Sequence, residues 1–143
     1  MSSSITESTT IKAPIETVQS VILDVEAYPI WQKEMQKVEI LEKDDQGRPA
    51  TVKFDVSAMG QKAGYTLAFS YPDSSTITST LTEGDMIVKQ EQTYQLVQDG
   101  AGTKLIYSLD IAIKWTVPDF MLKSIINKGI KGNLSGIKSQ SEK

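Results

Sequence analysis

Two rhythms of apolar and polar positions divide the chain. From about residue 37 to residue 115 the period is two: Val52, Phe54 and Val56, then Tyr65, Leu67, Phe69 and Tyr71, fall on one face, opposite polar sets such as Thr51, Lys53 and Asp55. The same alternation runs through Val88, Gln90, Gln92, Tyr94 and Leu96, and through Leu105, Tyr107, Leu109, Ile111, Ile113 and Trp115. Such patterning predicts a sheet buried on one face and wet on the other. Six strands are expected, at 37–43, 50–57, 62–71, 76–81, 86–97 and 104–115. Turn formers such as Asp44-Asp45-Gln46-Gly47, Pro72-Asp73-Ser74-Ser75 and Asp99-Gly100-Ala101-Gly102 separate them. Connections this short join antiparallel neighbours. Residues 5–13, rich in Thr and β-branched side chains, make a seventh strand with Ile5, Thr9, Ile11 and Ala13 on one face.

The period becomes 3.6 in two places. Ala13-Pro14-Ile15-Glu16 puts Pro at a first helical position and an acid in the first turn, and Ile15, Val18, Ile22 and Val25 follow at helical spacing. Tyr28-Pro29 is expected to interrupt this helix, because the residue before Pro is pushed out of the α region, with a second short segment resuming at Ile30-Trp31-Gln32. Pro118 opens the last element, a long amphipathic helix from Asp119 to about Ser139. At 100° per residue, Leu122, Ile125, Ile126, Gly129, Asn133 and Gly136 share roughly 100° of arc, with Met121, Ile130 and Ile137 on its flanks. Lys123, Lys128, Lys131 and Lys138 lie outside it. The apolar arc is expected to cover the buried face of the sheet.

At 143 residues, with 39% hydrophobic and 23% charged, the chain suits one globular domain spanning residues 1–143. It contains no Cys and no His, which removes disulfides, thiolate nucleophiles, histidine acid/base chemistry and the Ser-His-Asp and Cys-His triads. Metal sites and cofactors are not expected, since the acids lack ligand spacing and Gly60-Gln61-Lys62-Ala63-Gly64 is no phosphate loop. The net charge of −3 divides unevenly, with 10 basic and 16 acidic residues in 1–118 and 5 against 2 in 119–143. That balance argues against nucleic acid as a partner. The basic last helix permits transient contact with an anionic membrane, although lysines on a wet helix face serve solubility equally. No apolar run approaches the ~20 residues of a bilayer span, and Met1-Ser2-Ser3-Ser4 does not read as a leader, so a cytoplasmic location is expected.

Glycine is out of place in the last helix. Gly129 and Gly136, with Gly132 nearby, each cost about 1 kcal/mol of helix propensity relative to Ala. Missing side chains on a core face either allow close packing or leave a cavity. Asn133 on the same face, and Gln90 and Gln92 on an apolar strand face, need hydrogen-bond partners once buried. Beside Tyr65, Tyr94 and Tyr107 they outline an apolar chamber with a few polar anchors, the makeup of a small-molecule pocket; the bland alternative is a core whose polar groups satisfy one another. Phe69, Leu109 and Ile125 would supply apolar wall. A mouth is expected at the wedge of Tyr28, Pro29, Ile30 and Trp31 and the loop at Met59-Gly60, with Trp31 also touching the ligand. Catalytic candidates are few: Glu7, which has the parity of Ile5 and Ile11, and Tyr94. Glu83, Asp85, Asp44 and Asp45 read as solvated turn acids.

The stretch Ile11-Lys12-Ala13-Pro14-Ile15-Glu16-Thr17-Val18, followed by Leu23-Asp24-Val25-Glu26-Ala27-Tyr28-Pro29-Ile30-Trp31, resembles the opening signature of the START-like (SRPBCC, Bet v 1-like) superfamily. Over essentially its whole length the chain is similar to the polyketide cyclase/dehydrase and lipid transport family, near the coenzyme Q-binding START-like branch. The resemblance implies an α+β helix-grip fold: a seven-stranded antiparallel sheet wrapped around a long C-terminal helix, two short helices after the first strand, and a hydrophobic cavity between sheet and helix. Members bind lipids, isoprenoid quinones, sterols or polyketides, and some cyclise polyketides. Cyclising members generally place an Arg in the cavity, whereas the single Arg here, Arg48, falls in a hairpin turn. The leading expectation is a non-catalytic binder or carrier of a hydrophobic small molecule. The alternatives are a polyketide or fatty-acyl cyclase/dehydratase working through Tyr94 or Glu7, and a protein-interaction module with a filled core.

Overall fold

The computed structural model describes residues 2–58, 60–114 and 118–143. Met59 and Trp115, expected at the mouth loop and on the apolar face of the last strand, lie outside the described residues. The elements run β1 (Ser2–Ile11), α1 (Ile15–Leu23), a single 3-10 turn (Val25–Ala27), α2 (Tyr28–Trp31), β2 (Met35–Lys43), β3 (Pro49–Ala58), β4 (Gln61–Asp73), β5 (Thr76–Gly84), β6 (Ile87–Asp99), β7 (Gly102–Ile113) and α3 (Asp119–Ser141). The strands make one antiparallel sheet in the order β1-β7-β6-β5-β4-β3-β2. Strands β2 to β7 are sequential hairpin neighbours, and β1 joins from the other end, with Ser2 opposite Ala112 and Ile11 opposite Thr103. With α3 packed on one face, this is the expected helix-grip α+β architecture. The hairpins follow from local chemistry: at the β2–β3 turn Asp44 accepts from the amides of Gln46 and Arg48, and Gly47 takes a left-handed φ of 79°.

Three local features differ from the pattern-based expectation. The helical break falls at Asp24 (φ −81°, ψ 64°) and not at Tyr28, which is itself helical. Pro29 sits in the first turn of α2, where a missing N–H leaves no intrahelical hydrogen bond unmade. In β6 the register shifts between Ile87 and Lys89, so Ile87 turns inward and Val88 outward, 53% exposed, before Gln90 restores the alternation. The buried stripe of α3 consists of Leu122, Ile126, Ile130, Leu134 and Ile137. Ile130 and Ile137 are therefore central and not flanking, and the positions of Gly129, Asn133 and Gly136 lie to one side of the stripe.

That rotation splits the core in two. One cluster gathers Ile11, Val18, Ile22, Leu96 and Leu105 with the α3 stripe, under α1 and the β1, β6 and β7 side of the sheet. The other gathers Val25, Tyr28, Met35, Val52, Phe54 and Leu67 over β2, β3 and β4. Trp31 and Phe69 pack against both.

Candidate functional site

A cavity of about 230 Å³ lies where the two clusters meet. Tyr94, Tyr107, Leu109, Ile126 and Ile130 line it from the first cluster, and Tyr28, Met35, Phe54 and Leu67 from the second. The side of α3 that faces the gap carries Ile125, Gly129 and Asn133. At Gly129 an added Cβ would meet nothing within 4 Å, so the missing side chain is open space. Gly132 is equally open and borders an adjoining depression of about 390 Å³, which shares Gln32, Met35, Val56, Tyr65, Gly129 and Asn133 with the cavity wall. The way out therefore runs between α3 and the α2–β2 connection, past Lys33 and Glu34 on one lip and Lys128 on the other.

Of the residues that sequence patterning nominates, Tyr65, Phe69, Gln90, Gln92, Tyr94 and Tyr107 are brought together around this space, as are Leu109, Ile125, Gly129 and Asn133. Gly136 is placed differently, and Trp31 borders the adjoining depression at the mouth. A Cβ on Gly136 would lie 2.2 Å from Trp31 Cε3 and 2.5 Å from Cζ3. This notch is filled by the indole, so Gly136 is a seat for Trp31 and not cavity wall. Tyr28 does not form the lip, since it is buried in the second cluster, and Ile30 is solvent-exposed at 83% and absent from the cavity wall. Glu7 faces the same side of the sheet as Tyr107, its register partner, but stays exposed on β1, an edge strand. It does not line the cavity, which removes the geometric basis for it as an acid/base group. Arg48 also stands away, paired with Asp44 at 2.7 Å and lying 4.0 Å over the ring of Tyr71. Patterning missed Gln32 and Met35, which reach the cavity only because α2 ends above it, and Ile87, hidden by the β6 register shift.

The polar atoms inside are organised into short chains. Tyr28 donates to the carbonyl of Ile22. Tyr107 donates to Gln92 Oε1, and Gln92 Nε2 passes to Ser79 Oγ at 3.0 Å. Gln32 Nε2 donates to Asn133 Oδ1 at 3.1 Å, and Asn133 Nδ2 to the hydroxyl of Tyr94 at 2.8 Å. Gln90 lies beside Tyr65 on the same wall. The rings of Tyr94 and Tyr107 are 4.8 Å apart, and Phe54 stacks on Tyr65 at 5.2 Å. Burial raises the Tyr28, Tyr65 and Tyr107 hydroxyls above their ordinary value and pushes Tyr94 up to about 12. All four are neutral hydrogen-bonding groups at physiological pH. No Asp, Glu, Lys or Arg lines the cavity among the described residues. Nor does any group of acids capable of holding a metal ion occur among them.

These shifts give the protein a defined pH profile. Asp73, held low by the Ser75 amide, Asp110, by Lys89, and Glu142, by the Lys12 amide, contribute stability above their unfolded values and lose it as pH falls through the lowered ones. The buried tyrosines contribute fully below the ordinary value of 10, and that contribution disappears as pH rises through the raised values. With no His to titrate between, denaturant midpoints should be level from about pH 5 to 9 and fall on both sides. Tyrosinate absorbance should rise together with unfolding on the alkaline side. A midpoint that drops between about pH 6 and 8 would contradict this account.

A helix gripped by an antiparallel sheet around an uncharged internal cavity defines a START-type ligand-binding fold. The model of the polyketide cyclase/dehydrase and lipid transport family matches residues 2–142, and the chain belongs to that family. Among solved structures, a START superfamily protein from Mycobacterium smegmatis is 31% identical, with 97% of each chain covered and a TM-score of 0.88. The Zhui aromatase/cyclase from Streptomyces sp. R1128 is 18% identical, covering 99% of this chain and 94% of its own, with a TM-score of 0.84. The STAR-related lipid transfer protein from Xanthomonas axonopodis is 17% identical, covering 98% and 86%, with a TM-score of 0.75. The latter two likenesses establish the fold alone. No match was found among curated proteins. Neither the family model nor these structures single out the coenzyme Q-binding branch. No helix among the described residues is long and apolar enough to cross a membrane.

Proposed function

We propose that the protein binds and carries an uncharged hydrophobic small molecule in the space between sheet and α3. The observation that supports this reading is the wall of the cavity: apolar side chains, tyrosines and amides, with no ionisable group charged near neutral pH. Burying about 400 Å² of apolar ligand surface is worth roughly 10 kcal/mol at ~25 cal/mol/Å². Association costs of several kcal/mol leave room for micromolar affinity. Loading from an anionic membrane would use the lysines of α3, of which Lys128 stands at the mouth. Native mass spectrometry of the purified protein, followed by organic extraction, should find a stoichiometric apolar adduct or one-to-one uptake of added quinones or polyketide mimics. An unchanged mass with all of these would discard the proposal in favour of an interaction module.

A second reading, a polyketide or fatty-acyl cyclase/dehydratase, is favoured by the likeness in fold to the Zhui aromatase/cyclase. Under it Tyr94 is the acid, and turnover of a poly-β-keto substrate should vanish in Tyr94→Phe.

A further inference from the structure

We infer that the cavity selects a neutral ligand bearing a carbonyl, whose oxygen accepts a hydrogen bond from the hydroxyl of Tyr94. The inference rests on the binding function just proposed and names the chemistry of its ligand. The directions of the internal hydrogen bonds carry it. Tyr28 and Tyr107 have given their hydroxyl hydrogens to the Ile22 carbonyl and to Gln92. The first closes on a backbone carbonyl, and the second passes through Gln92 to Ser79, which does not line the cavity. The third chain runs from Gln32 through Asn133 to Tyr94, each amide donating to the next group. Tyr94 is thus an acceptor for Asn133, and its own hydrogen finds no acceptor among the described residues. The side chain is only 5% exposed and lines the cavity, so this donor has been withdrawn from bulk water and waits on whatever fills the space.

The surroundings narrow the acceptor. A carboxylate would enter an apolar space with no cation on its wall, at a large desolvation cost. An alcohol can also accept from Tyr94, but it brings a hydrogen that needs a second acceptor, whereas a carbonyl needs only the donor. A carbonyl oxygen completes the chain and leaves nothing over. Donors aligned head to tail from Gln32 also polarise the terminal hydroxyl, which strengthens the last bond.

The test compares 1-tetralone, its parent hydrocarbon tetralin and the bicyclic carboxylate 1-naphthoate, titrated calorimetrically into the full chain and into Tyr94→Phe. The ketone should bind about tenfold more tightly than the hydrocarbon, a ratio equivalent to about 1.4 kcal/mol, and the carboxylate more weakly than either. In Tyr94→Phe the ketone should fall to the affinity of tetralin while tetralin is unchanged. The infrared C=O stretch of bound ketone should lie below its position in an apolar solvent, and return toward it in the variant. Equal affinities for ketone and hydrocarbon, or an unshifted stretch, would overturn the carbonyl inference while leaving the binding function standing. Binding of none of the three would overturn both. If Tyr94→Phe does not fold, the stretch in the unsubstituted protein decides alone.

Discussion

Gly129→Leu should make the protein more stable and deprive it of its ligand. The two effects have separate origins. Glycine inside a helix costs about 1 kcal/mol relative to a good helix former. At Gly129 the new Cβ meets nothing within 4 Å, so the propensity gain comes without a clash. The rest of the leucine side chain then projects over the approximately 230 Å³ cavity and its mouth, in the volume a ligand needs. Excluding about 100 Å² of ligand contact at ~25 cal/mol/Å² is worth roughly 2.5 kcal/mol, a loss of affinity of about fiftyfold or more. Chemical denaturation should show a stability increase of up to about 1 kcal/mol, and the adduct should be missing from the native mass spectrum. A Gly129→Leu protein that binds as well as the original would show that this part of α3 does not border the ligand.

Gly136→Leu, seven residues further along the helix, should do the reverse. Its Cβ alone would lie within 2.5 Å of two carbons of the Trp31 indole, and those atoms belong to a rigid ring held against Tyr28 at 5.2 Å between centroids. Leucine there must push the indole out of its seat, and overpacking of this kind costs typically 1–3 kcal/mol; loss of the buried indole surface takes the total to about 3 kcal/mol. In a Trp31→Ala background the seat is empty, and the same Gly136→Leu change should be nearly neutral. A double-mutant cycle by denaturation should therefore give a coupling of about 2 kcal/mol or more. Strictly additive penalties would mean that the indole does not occupy the glycine notch. The pair of substitutions separates two glycines that look alike in sequence, one leaving open space and one leaving space for a side chain of the same chain.

Much of the fold was legible in advance because the relevant signals are local. Side chains on a strand alternate by backbone geometry, so Tyr65/Leu67/Phe69 and Leu105/Tyr107/Leu109 declare a face without knowledge of what covers it. Turn residues and the proline at the start of α1 act within a few positions of themselves. The ring of tyrosines and amides could be nominated for the same reason, since Gln90, Gln92 and Tyr94 keep an inward parity that amides rarely hold without a purpose.

Other features were not legible, and each depends on a distant partner. Parity put Val88 inside, whereas the register shift against β7 puts Ile87 there. Parity gives Glu7 the face of Ile5 and Ile11 while its place on the first strand favours solvent, and the edge position of β1, set by pairing with β7, leaves it wet. The arc drawn on α3 was off centre because polar Asn133 and three glycines share a side with Ile125, so the sequence hides which edge of the stripe faces packed core. Gln32 is joined to the site by Asn133, about a hundred residues away in the chain.

By itself, then, the sequence determined the strand and helix order, the inner face of most strands, the absence of histidine and cysteine chemistry, and the uncharged character of the candidate lining. Tertiary structure alone decided where the core divides, which glycine remains open, and that Tyr94 is left holding a hydrogen without an acceptor. The physical reason is that periodicity records what each residue does relative to its near neighbours, while a cavity is the volume that elements remote in sequence fail to fill between them.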